Sequence, residues 1–83
     1  MTTITEKIQA LKAEAGQHGD TDMVAMCERA EDLELRDSDT SETVDADDLG
    51  CTTVEYVETI CDSLDSDQPD GHVRLNGRRV YAV

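Results

Sequence analysis

Phenylalanine and tryptophan are absent from this chain, and Tyr56 and Tyr81 are its only aromatic residues apart from histidine. A core must therefore come from Ile, Leu, Val, Met and Ala, and in 83 residues that core is small. The large apolar side chains that usually line a small-molecule pocket are missing. Long apolar runs are missing too, so no membrane span is expected. The stretch Met1 to Ile4 lacks the basic and apolar regions of a secretory signal, and a cytoplasmic protein is expected. Cysteine is scarce and odd in number. Cys27, Cys51 and Cys61 are widely spaced, which argues against a disulfide framework and for a reducing compartment.

Positive charge is scarce relative to negative. Seven Lys or Arg stand against twenty Asp or Glu, for a net charge of −13. The imbalance is local. Between Asp20 and Asp70 eighteen acids face only Arg29 and Arg36, whereas His72 to Val83 holds Arg74, Arg78 and Arg79 and no acid. A body this acidic repels nucleic acid and anionic membrane, and it attracts basic surfaces. Duplex DNA carries roughly one charge per 1.7 Å, so the acidic segment equals the charge of roughly 27 Å of duplex. A compact domain of this length is roughly 30 Å across. The charge density of a short duplex is therefore within its reach. Abundant Asp, scarce Lys and frequent Thr and Val also fit adaptation to high salt, and that reading stays open.

The spacing predicts one small α+β domain over 1–83. Thr3-x-x-Glu6 forms a capping box, and Ile4, Ile8, Leu11 and Ala15 follow at helical spacing up to Gly16. Asp20 caps a second helix whose apolar face is Met23, Val24, Cys27 and Ala30. The short connection makes a helical hairpin of the two. From about 31 to 48, nine acids with interspersed Ser and Thr predict a mobile acidic loop, with a helical turn near Asp45 to Leu49. A second capping box, Thr52-x-x-Glu55, opens a third helix. Its expected buried stripe is Val54, Val57, Cys61 and Leu64, with Ile60 beside it. Glu55, Glu58, Asp62 and Asp65 fall within about 80° of one another at 100° per residue, an acidic ridge beside that stripe. Asn76-Gly77 between His72–Leu75 and Arg78–Ala82 predicts a two-residue type I′ hairpin. That register sets Val73 opposite Val80, Arg74 opposite Arg79, and His72 opposite Tyr81. Facing arginines repel, so acids of the same molecule or of a second copy are expected to hold them, the same molecule being favoured because the hairpin must dock on the helices.

Catalytic signatures are missing. The chain has no nucleophile elbow, phosphate loop or glycine-rich cofactor fingerprint, and neither enzymatic activity nor a cofactor is expected. Asp65, Asp67, Asp70 and Gly71 lack calcium-loop spacing, and the cysteines with His18 and His72 lack paired zinc-ligand spacing. Cys51, just before the third helix, stands where a helix terminus lowers a thiol pKa.

Ile8-x-x-Leu11-x-x-Glu14-Ala15-x-x-x-Gly19-Asp20, followed by Val24-x-x-Cys27-x-Arg29-Ala30, resembles short proteins of phages, plasmids and other mobile elements. In size and charge the chain is similar to small acidic phage inhibitors of the anti-CRISPR, anti-restriction and uracil-DNA glycosylase inhibitor kinds. The first likeness implies a mobile-element origin more than an activity. The size and charge behind the second lead to the expectation of a non-enzymatic inhibitor acting in the host-cell cytoplasm as a nucleic-acid mimic, of the anti-CRISPR type. Its partner would be a basic nucleic-acid-binding protein of the host, with no direct binding of nucleic acid or membrane. The residues expected to meet that partner are Glu55, Glu58, Asp62 and Asp65, with Asp37, Asp39, Asp45, Asp47 and Asp48 from the loop. A salt-adapted or mobile-element interaction domain and a metal-binding module are the alternatives, and the oligomeric state is open.

Overall fold

The computed structural model describes residues 3–66 and 71–83. Helix α1 spans Ile4–Gln17 and α2 Thr21–Ala30. Strands β1 (Leu35–Asp37) and β2 (Thr43–Val44) follow, then a short helix α3 (Ala46–Leu49) and helix α4 (Thr53–Leu64). Strands β3 (Val73–Leu75) and β4 (Arg78–Ala82) complete the chain. The strands form one antiparallel sheet in the order β2-β1-β4-β3. Helix α4 packs against β3 and β4, and α1 and α2 pack against α4 and each other, giving an α+β architecture whose shortest dimension is 20 Å.

Local signals account for the helix ends. Thr3 Oγ1 accepts from the Glu6 N–H at 3.2 Å, and Asp20 Oδ1 from the Met23 N–H at 3.1 Å. Helix α1 runs one residue past Gly16, and Gly19, at φ +71°, makes the reversal into α2. Thr52 and Glu55 form a full capping box at the start of α4. Such caps supply partners for N–H groups that a helix leaves without an internal acceptor.

The core lies between the helices and the covered face of the sheet. Ile8, Cys27, Leu35, Tyr56, Ile60 and Val80 are among its fully enclosed side chains. The face that α4 buries differs from expectation. Tyr56, Val57, Thr59, Ile60, Cys61 and Ser63 are inside, while Val54 is half-buried and Leu64 is exposed. The buried arc is turned by about 80° from the expected stripe, at 100° per residue. The reason is hydroxyl chemistry. Tyr56 Oη accepts from the Leu35 N–H and donates to the Val44 carbonyl, each at 2.9 Å. Ser63 Oγ donates to the Gly71 carbonyl at 2.6 Å and accepts from the Ala82 N–H at 3.0 Å. Thr59 Oγ1 donates to the Glu55 carbonyl at 2.7 Å. Polar groups with partners bury at little cost, and here those of Tyr56 and Ser63 fasten α4 to β1, β2 and β4. Gly71 suits this junction, because a Cβ there would lie 2.9 Å from the Ser63 carbonyl oxygen at a φ of +68°.

Residues 31–48 hold more regular structure than the expected mobile loop. They form β1, β2 and the first part of α3. Leu35 pairs with Val44 and also with Ala82, so β1 is an inner strand. Two isolated apolar residues, Leu35 and Val44, suffice because each enters a core built by distant elements. The expected helical turn near Asp45 is present as α3, capped by Asp45 and Asp48.

The terminal hairpin has the expected turn and register. Asn76 and Gly77 both have positive φ, +51° and +79°, as a type I′ turn requires. Val73 pairs with Val80, Arg74 with Arg79, and Leu75 with Arg78. Asn76 has a second task. Its side-chain amide donates to the Leu49 carbonyl at 2.7 Å, tying the turn to the end of α3.

Candidate functional site

Helix α4 presents the four acids of the expected ridge. Glu55, Glu58, Asp62 and Asp65 are all exposed. Because the buried arc is turned, they stand opposite the core face rather than beside it. Their individual situations differ. Glu55 Oε1 accepts from the Thr52 N–H at 3.2 Å, so its carboxylate caps the helix. Asp65 accepts from Arg29 of α2 at 2.8 Å and 3.4 Å, a two-pronged pair that holds its carboxyl below the ordinary range. The same hydrogen bond raises Arg29. Glu58 and Asp62 have no cation or hydrogen-bond partner among the described residues.

The acids of residues 37–48 are placed differently. Asp37, only 17% exposed, accepts from the Asp39 N–H at 2.8 Å and the Thr40 N–H at 3.3 Å, and pairs with Arg78 at 3.4 Å. Asp45 and Asp48 cap α3. Asp45 and Asp47 share Lys7, at 3.7 Å and 3.4 Å. Asp39 is exposed and its carboxylate has no partner among the described residues. Of the five, Asp37, Asp45 and Asp48 are thus occupied in local structure, and Asp47 is paired although its side chain is 85% exposed.

The cations complete the pattern. Lys12 lies 3.4 Å from Glu31 and 4.0 Å from Glu28, and Arg36 lies 3.1 Å from Glu34. Lys7, Lys12, Arg29, Arg36 and Arg78 each have a carboxylate. Arg74 and Arg79 have none among the described residues, contrary to the expectation that acids of this molecule hold them. The strand period explains it. Val80 points into the core, so Arg79 and its cross-strand partner Arg74 start from the opposite face of the sheet, and Arg74, on the edge strand, also borders a depression beside α4 without reaching an acid there. Tyr81 carries its ring beside that of His72, with centroids 4.9 Å apart and planes at 8°.

The thiols are not activated. Burial pushes the pKa of Cys27, Cys51 and Cys61 up from the ordinary value. For Cys51 this reverses the expectation of a lowered pKa. Desolvation is the largest cause, and the charges of Glu55 and Asp45 add to it. Among the described residues no three of His, Cys, Asp and Glu come together as metal ligands. Asp67 and Asp70 of the calcium-loop comparison lie outside the described residues. No helix among the described residues is long and apolar enough to cross a membrane. No known protein family, curated protein or solved structure matches the chain.

Proposed function

We propose that this chain is a non-enzymatic inhibitor whose α4 ridge occupies the basic groove of a host nucleic-acid-binding protein, in the manner of an anti-CRISPR protein. One observation carries the reading. Glu58 and Asp62 stand on the solvent face of α4 with no partner among the described residues, in a molecule where both lysines are already engaged. From Glu55 to Asp65 the helix rises by about 15 Å. One strand of duplex DNA presents a phosphate every 3.4 Å or so along its axis, about four over that length. The ridge carries as many carboxylates, with Glu58 and Asp62 unpaired among the described residues, Glu55 capping the helix and Asp65 shared with Arg29. A net charge of −13 steers the chain toward positive surfaces, and the ridge then competes with phosphates for the same lysines and arginines. The setting is the cytoplasm of the host cell.

The test is competition. Purified RNA-guided nucleases, restriction endonucleases and uracil-DNA glycosylase are loaded on labelled DNA and challenged with the protein in mobility-shift assays. At least one enzyme is expected to release its DNA, less effectively as salt rises. Glu58→Gln with Asp62→Asn should weaken the release at least tenfold and leave the helix content unchanged. Equal competition by a folded double variant would remove the ridge from the interface. No release from any enzyme would sink the reading.

A further inference from the structure

Arg74 and Arg79 do not fit the charge arrangement of the rest of the molecule. Carboxylates outnumber cations twenty to seven, so an unpaired arginine has many possible partners. Among the described residues Arg74 and Arg79 nevertheless remain without one, and they are register partners on adjacent strands. Such side chains start about 5 Å apart, where like charges repel. Nothing in the core requires them, since both are exposed.

Their surroundings are rich in donors. The row across the sheet continues from Arg79 to Ser38, whose N–H bonds the Arg79 carbonyl at 2.9 Å. Among the described residues Ser38 Oγ is buried with no hydrogen-bond partner, and so is Nε of Arg36, in the neighbouring row. The acids that share a depression with the pair are Asp37, already bound to Arg78 at 3.4 Å, and Asp39, which reaches neither arginine within ion-pair distance. Arg74 also connects this face to the ridge. It lines one surface depression with Glu55, Glu58 and Asp62, and a second with Arg79 and Asp39. A single surface therefore runs from the acids of α4 over the edge strand β3 to the arginine pair. A partner that covers the ridge reaches the pair as well.

We infer that Arg74 and Arg79 bind carboxylates of the partner protein, and that the partner is a metal-dependent nuclease. This rests on the reading of the ridge given above. Arginine recognises carboxylate through two parallel hydrogen bonds, and the desolvated pair is stronger than a neutral contact. Free nucleic acid is a poor occupant, because two cations displace few counterions and the chain as a whole carries −13. The required partner surface is basic with carboxylates set in it. A nuclease groove has that composition, with lysines and arginines for the phosphates and an acidic cluster for its magnesium ions. The inhibitor thus imitates the phosphates with α4 and takes the place of the metal ions with β3 and β4.

The test uses the same purified RNA-guided nucleases and restriction endonucleases. Each is prepared native and with its magnesium-binding carboxylates changed to Asn or Gln. Arg74→Gln with Arg79→Gln should weaken competition at least tenfold while melting at the native temperature. The substituted nuclease should lose a similar factor toward the native chain and little more toward the arginine variant, the non-additivity expected of one shared contact. If the arginine variant competes as the native chain does, while the Glu58 and Asp62 variant fails, the inference falls and the ridge reading stands. If the native chain competes with no enzyme, both fall. If the native chain binds a labelled single-stranded 12-mer and the arginine variant does not, the face is a nucleic-acid site and the inference is overturned.

Discussion

Between Glu34 and Asp48 most carboxylates have a local task, whereas in the middle of α4 they have none. Asp37, Asp45 and Asp48 accept backbone N–H groups, and Glu34 and Asp47 hold cations. Glu58 and Asp62 do neither. Both regions are acidic in sequence, so the difference comes from the backbone. Turns and helix starts leave N–H groups without partners, and a nearby carboxylate supplies them. Inside a helix every N–H is already bonded to the carbonyl four residues back, and an acid there has nothing local to accept. Charge count and available charge are therefore separate quantities.

The most disruptive way to break this comparison is through Tyr56, which joins the two regions. Tyr56→Phe leaves the Leu35 N–H and the Val44 carbonyl buried without partners, at a cost of about 1–3 kcal/mol. Hydrogen exchange should accelerate first in β1 and β2 and least in α4. Equal acceleration in α4 would show that the hydroxyl does not hold the two regions together. The same contact predicts an alkaline transition. Burial pushes the Tyr56 hydroxyl from about 10 up to about 12. The neutral form is thus favoured by folding. Its contribution is complete below pH 10 or so and is lost as pH rises toward 12. Melting curves between those values should show the loss in the native protein and not in Tyr56→Phe.

A sharper test sets one acid from each region side by side. Asp37→Ala removes a turn cap and an ion pair and should cost about 1–2 kcal/mol, several degrees in melting temperature. Asp62→Asn should change stability by less than about 0.5 kcal/mol in either direction. Equal losses would mean that the α4 acids are also structural.

The smallest effect concerns Asp65, the ridge acid that does have a cation. Arg29 lowers its pKa, so the pair's contribution is present above the ordinary carboxylate range and fades as pH falls through the lowered value. Arg29→Gln should remove that part of the acid dependence and little else. Molar salt should have the same effect on the native protein, because the pair is exposed.

Features decided within a few residues were legible from sequence. Thr52 and Glu55 announce their capping box, and Asn76-Gly77 dictates both the turn and the register of Arg74 with Arg79. Features decided by distant partners were not. Strand β2 has two residues and β1 three, too few for alternation to show, and each depends on neighbours elsewhere in the chain. The buried face of α4 was misplaced because Tyr56, Thr59 and Ser63 look polar in sequence until their hydroxyl partners are known. The exposure of the α4 acids could be read from the helical period. The free state of Arg74 and Arg79 could not, since it depends on which face of the sheet the helices leave open.

The order β2-β1-β4-β3 bears on how the protein is made. Strand β4 lies inside the sheet, and Leu35 pairs with Ala82. During translation, β1 and β2 emerge early and have no inner neighbour until the codons for residues 78–82 have been read. The helices can gather first, since their contacts are near in sequence. The sheet closes only on a chain that has passed residue 82. A ribosome that stops short of it releases a helical fragment with an unpaired strand edge, a substrate for quality-control proteases.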